Sequence, residues 1–322
     1  MWLSLLGLLS LPAASQPRAP GAKVPKVPKA PALTAPRLNA PAPDPAVVRI
    51  KLFQAAALAN GFKDSEALAV YQEVIKLDPL HYLSLWQAAV LSVKIGARYT
   101  DETRKIAYFN AARDYADRAL ALRPEGGEGN YAVALALFNQ ATLYKAGARL
   151  TAFRDLRSHV YLATERRPDL PEAWQLLGRW QYRVSHYNLL ERIYSKLVLG
   201  GVPSGGNSRE AMADLEKALS LAPQSLPFHY DLARMCNYQG RRRAAIATLQ
   251  AALKISPITS EDLVILRSCS KLLPPLLRAD ARRQRRLARL ERHTNSRPPS
   301  AAPLPLPRVP ADALDNPAEK MK

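Results

Sequence analysis

Two cysteines and five histidines in 322 residues leave little from which to build a reactive centre. The histidines, His81, His159, His186, His229 and His293, include no i,i+4 pair and stand near no cysteine pair. The ligand spacings of zinc sites and metalloproteases are therefore absent, and surface or packing roles are expected. Cys236 and Cys269 fall on apolar faces of helical stretches, where a small buried hydrophobe is the expectation; a bridge between them stays open if the chain meets an oxidising compartment. The glycines of residues 200–206 neither follow a strand nor run into Lys-Ser or Lys-Thr, so this is a turn-back loop and not a phosphate-binding one. Nothing fixes two carboxylates at a separation useful for acid–base chemistry. The expectation is a protein that is not an enzyme and carries no cofactor or metal.

What the chain does have is a helical period. From Leu226 onward, Leu232-Ala233, Gly240, Ala245, Ala252 and Pro257 fall at fixed offsets. These offsets match the 34-residue tetratricopeptide unit: a Leu-Gly pair, the end of the first helix, two small positions on the second, and a terminating proline. The alanines let helices approach closely, Gly240 can adopt the left-handed conformation that ends a helix, and Pro257 removes a backbone donor. A single such pair leaves an apolar face uncovered and implies neighbours of its own kind.

Those neighbours are readable upstream. Helices are expected over 47–59 and 65–77, with Asp64 and Ser65 as caps; the next pair starts near Tyr82 with Trp86 and ends at Leu122. A third pair covers 128–145 and 150–165. The fourth opens on Ala173-Trp174-Gln175-Leu176-Leu177-Gly178, and its second helix runs from a Ser208 cap through Ala211, Leu215 and Ala218, after an insertion over 185–207. Terminating prolines stand at Pro79, Pro124, Pro168, Pro223 and Pro257, and only the last interval is regular. Thr259 and Ser260 can cap a closing helix over 261–273, which Pro274-Pro275 are expected to break. The fold class expected is all-α: a right-handed tetratricopeptide-like solenoid of four to five degenerate helix pairs with a C-terminal capping helix over 46–273. Trp174, Trp180 and Tyr182, at helical spacing, read as core before they read as a stacking surface.

The ends differ in texture. Residues 1–15 form an apolar run, too short to span a bilayer, with Ala13 and Ser15 at signal-peptidase spacing; an exported, periplasmic or extracellular protein is expected, or a cytoplasmic one if the segment is not processed. Residues 16–45, rich in Pro, Ala and Lys, and residues 294–322, rich in Pro, are expected to be extended and disordered. Seven arginines against Asp280 and Glu291 make 276–293 a basic helix. This segment and the 16–45 linker account for about half of the net charge of +19.

The run from Leu170 to Ser185, with Ala173-Trp174-x-x-Leu177-Gly178-Arg179-Trp180, followed by Leu189-Leu190-Glu191-Arg192 and Gly200-Gly201-Val202-Pro203, resembles the regulator of microtubule dynamics family over residues 47–273. The resemblance implies a helical adaptor without catalysis. Counting repeat positions, the inward-facing residues are Gln175, Arg179, Tyr182 and Arg183 in the fourth unit and Tyr230, Arg234, Asn237 and Tyr238 in the fifth. Arginines flanked by amide and phenol groups suit an acidic peptide or protein partner. The alternative is that they pair internally with Glu172 and Glu191. A second function class rests on Arg278, Arg282, Arg283, Arg285, Arg286 and Arg289, a basic surface for anionic lipid, polyanion or nucleic acid at a cell envelope. Nucleic acid is the weakest of these, because no aromatics accompany the arginines.

Overall fold

The computed structural model describes residues 44–295, and among them there are twelve helices and no strand. The helices form two compact units, one ending at Pro223 and one beginning at Gln224.

In the first unit the pairs are α1 (Pro45–Asn60) with α2 (Asp64–Leu77), α3 (Tyr82–Arg98) with α4 (Glu102–Leu122), α5 (Gly127–Ala141) with α6 (Ala146–Arg166), and α7 (Pro171–Ser185) with α9 (Ser208–Leu221). Between the last two lies α8 (Leu189–Val198), inside the stretch expected as an insertion. Each pair packs on the next, and first helices also meet one another, α3 on α5 and α5 on α7. The tetratricopeptide expectation is thus met helix for helix.

Alanine explains how thin helices can bury a core. Ala67, Ala89, Ala112, Ala116, Ala134, Ala163, Ala173, Ala211 and Ala218 are fully buried, holding backbones close while larger side chains such as Tyr115, Leu156, Leu176 and Trp180 fill the space between layers. Backbone meets backbone closely at Gly178. A Cβ there would stand 2.7 Å from the Ala211 carbonyl oxygen, so even alanine would push α7 off α9. Trp180 is fully buried and donates its indole N–H to the Phe153 carbonyl at 2.7 Å, while the half-buried Trp174 donates to the Pro168 carbonyl at 2.9 Å.

Helix starts depart from expectation in two places. Asp64 is not a cap: it is 4% exposed and paired with Arg98 of α3, and α2 begins without a side-chain cap. Asn207, one residue before the expected Ser208, caps α9 by accepting from the Arg209 N–H at 2.9 Å.

In the second unit, α10 (Leu226–Tyr238) pairs with α11 (Arg242–Ala252), and α12 (Ser260–Asn295) packs on both. Gly240 ends α10 with φ of 73°. The expected break at Pro274-Pro275 does not occur, since α12 runs through both prolines. Cys269 and Leu276, seven residues apart and therefore on one face, are both buried, so packing holds the helix together across its weak point. No disulfide joins Cys236 and Cys269, and burial pushes the Cys269 thiol up to about 11.

Candidate functional site

A tetratricopeptide pair shows its neighbours two edges and leaves one face of the first helix exposed, so that face is where recognition chemistry is sought. On α7 it carries Gln175, Arg179 and Tyr182, none fully buried. The Arg179 guanidinium lies over the Phe138 ring of α5, 4.9 Å from its centre, and Tyr182 stacks on His186 at 4.1 Å. Phe138, Leu135 and Trp86 are likewise half-buried on first helices. Leu135 and Phe138, one turn apart on α5, make a small apolar patch with the Arg179 guanidinium held over the Phe138 ring.

Arg183 has a different fate. It donates to both carboxylate oxygens of Glu191, one at 3.2 Å, and lies 5.6 and 5.0 Å from the Phe153 and Tyr187 rings. Glu191 is only 6% exposed, receives Arg149 at 3.5 Å, and closes a capping box with Asn188 at the start of α8. Burial alone would raise this carboxyl. The hydrogen bonds from Arg183 and from the Asn188 N–H, with the charges of Arg183 and Arg149, outweigh burial and hold it below the usual glutamate range. Internal pairing, the alternative left open by sequence, is therefore what Arg183 does, and it seats α8 in doing so.

The fifth unit's set stands on α10. Arg234 is exposed between Tyr230 and Tyr238, with ring centres 5.5 and 5.9 Å away, and Asn237 is half-buried beside them. Partial desolvation by its neighbours lowers the Arg234 pKa, but the Tyr238 hydrogen bond and the phenol and Asp231 charges more than offset it, so the guanidinium is held charged. The four α7 residues belong to one unit and the four α10 residues to the other.

The basic set is on the far half of α12. Arg278, Arg282, Arg283, Arg285, Arg286 and Arg289 are all exposed. Asp280 sits 4.0 Å from Arg243 of α11, and Arg243, Arg283, Gln284 and Leu287 line a cleft of about 280 Å³.

The histidines find local roles. His81 caps α3 by accepting the Ser84 N–H through Nδ1, and His159 bonds the Asn130 side chain at 2.8 Å, its pKa lowered by burial and then by Arg113. Among the described residues no three His, Cys, Asp or Glu side chains gather into a metal-binding group.

One feature escaped sequence reasoning, and a second was left open by it. The Phe138 platform under Arg179 has no motif, because it depends on how α5 and α7 meet. The seating of Arg183 on Glu191 needed the path of α8, although the Asn188-x-x-Glu191 capping box was in plain sight.

A sequence model described as Regulator of microtubule dynamics protein 1-3 matches residues 52–277. Regulator of microtubule dynamics protein 3 from Bos taurus is 25% identical over 189 residues, 58% of this chain and 40% of that protein. Its Mus musculus counterpart is 24% identical over 230 residues, 70% of this chain and 48% of that one. The chain thus spans less than half the length of these relatives. Among solved structures, a thermophilic TPR protein of Thermus thermophilus superposes with a TM-score of 0.51 at 18% identity, over 70% of this chain and all of its own. That likeness shows the fold. The expectation of export is overturned by the relatives: proteins named for microtubule dynamics meet a polymer of the cell interior, which a secreted chain would not reach. The segment 1–15 that suggested export lies outside the described residues, as do 16–43 and 296–322.

Proposed function

The chain belongs to the regulator of microtubule dynamics family, and on that premise we propose that it is a non-catalytic scaffold that binds an acidic peptide or protein on the exposed face of its first helices. The observation that carries this reading is Arg179 stacked over Phe138. The ring contact restrains where the guanidinium lies before a partner arrives, and a planar fork already in place favours bidentate capture of a carboxylate. The half-buried Leu135 and Phe138 alongside would take apolar side chains of the same partner, the aromatic-plus-arginine chemistry that dominates binding hot spots. Arg234, between two tyrosines, offers the second unit the same chemistry. Arg183 is left out, since Glu191 already occupies it.

The test is binding of a fluorescein-labelled peptide rich in Glu and Leu, followed by polarisation. Arg179→Glu is expected to weaken it at least ~tenfold, the worth of one charge-assisted bidentate contact, with thermal stability unchanged. Equal affinity for the variant rejects the face as the site.

A second reading is favoured by one observation, the six exposed arginines on the far half of α12. There α12 would bind a polyanion by counterion release. Affinity for heparin would then fall steeply with salt, and changing the six to glutamine would flatten that slope. A slope the six substitutions leave as steep as before removes this reading.

A further inference from the structure

The helix α8 is built inside out. Leu189, Leu190, Leu197 and Val198 are 73, 76, 78 and 59% exposed, and Ile193 and Tyr194 continue the same face, while the only buried residues of the helix are the polar Glu191 and Ser195. In most surface helices this pattern would turn over and bury the leucines. Here it is held by chemistry already described: Glu191 is drawn inward by Arg183 and Arg149 and by the capping box with Asn188. The hydrophobic arc covers about half of the helix circumference, and Val202 in the loop that follows is 42% exposed as well.

We propose that this face of α8 lies in the headgroup layer of an anionic lipid surface. Charge identifies the occupant. The one acid of α8 is turned inward and neutralised, leaving Arg192 and Lys196 exposed on the flank of the helix and Lys145 exposed at the start of α6, on which α8 packs. An apolar arc rimmed by cations, with Tyr194 at its edge, is the composition of a helix lying in a membrane interface. A second copy of the chain fits less well on two counts. Copies carrying +19 each repel one another. A ten-residue helix, ~15 Å long, also offers an apolar face on the order of 150 Å² in projection, far below the ~800 Å² per partner of a stable protein interface. A lipid surface sets no such threshold, because affinity there grows with each apolar group inserted and each cation brought near the headgroups. This inference does not rest on the peptide-binding reading and uses none of its residues.

The experiment uses the full chain with vesicles of phosphatidylcholine alone and of phosphatidylcholine mixed with phosphatidylserine, in a sedimentation assay. Binding is expected to the mixed vesicles, with at least a ~tenfold loss in Leu190→Glu/Leu197→Glu and a comparable loss in the uncharged Leu190→Ser/Leu197→Ser. All four substitutions are at exposed positions, and circular dichroism checks that the helices persist. Leu197→Trp is expected to shift its emission to the blue when the mixed vesicles are added. Three results overturn the proposal: equal sedimentation of both double variants and wild type, loss only when the α12 arginines become glutamine, or a dimer seen by light scattering that Leu190→Glu/Leu197→Glu dissolves.

Discussion

The fourth and fifth helix pairs share one register, with Arg179 and Arg234 at the same position and both exposed, yet Arg183, which stands where the fifth pair has Tyr238, ends in the opposite state. On α10, Arg234 stands exposed between two tyrosines of its own helix. On α7, Arg183 is covered because the residues inserted after it bring back Glu191. An insertion between two helices of a repeat therefore does more than lengthen a loop. It can convert a recognition side chain into a buttress, and in this chain it leaves Arg179 as the exposed arginine of α7.

The largest effect that would break this contrast comes from removing the buttress. Glu191→Ala leaves Arg183 half-buried without its carboxylate, and a loss of about 3 kcal/mol in urea unfolding is expected, against less than ~0.5 kcal/mol for Arg234→Ala. The pH dependence follows from the lowered Glu191 pKa. Its contribution to stability is whole above the ordinary glutamate value and is lost as pH falls through the depressed one, so wild type should lose its advantage over Glu191→Gln in acid. Parallel acid profiles for the two proteins would contradict the pairing.

A somewhat smaller effect tests the backbone approach. At the position that is Gly178 in the fourth pair, the fifth has Ala233. Gly178→Ala drives a methyl into the Ala211 carbonyl and should cost about 2 kcal/mol, measured as a fall in Tm, whereas Ala233→Gly should cost about 1 kcal/mol, chiefly through helix propensity with a little lost packing of its buried methyl.

Smaller still, and of opposite sign, is Asp214 on α9. Burial, then the nearby Glu210, push its carboxyl up to about 6, although a hydrogen bond with Gln181 opposes the shift. A raised acid favours the folded state only where it is protonated, so the native protein is penalised increasingly from the ordinary aspartate value up to about 6 and uniformly above it. Asp214→Asn should therefore stabilise at neutral pH by about 1 kcal/mol, a figure reduced for the part of the group that water still reaches, and should bring no gain below the ordinary aspartate range. Thermal melts at pH 7 and in acid separate the two.

The pairs themselves were legible because their signals are local. Alanines at fixed offsets, the Trp-x-x-Leu-Gly run of α7, Gly240 and the terminal prolines each act on their own helix or on the partner next in sequence. Three features were not legible, for a common reason. Asp64 reads as a cap until Arg98 arrives from α3; Pro274-Pro275 read as a break until Cys269 and Leu276 are both anchored; and Leu189 to Val198 read only as part of an insertion until Glu191 is turned inward. In each a local preference yields to a partner that sequence spacing does not identify. The choice of Gln175, Arg179 and Tyr182 rests on repeat position alone, and repeat position says which way a side chain leaves the helix, not what meets it there.

The uninterrupted α12 carries a mechanical consequence. Pro274 and Pro275 supply no amide hydrogen, so the carbonyls of Ser270 and Lys271, one turn earlier, lack their ordinary helical donors. A tug on the arginine-bearing half would load that joint first and then α11, whose Arg243 stands against Asp280 just beyond it.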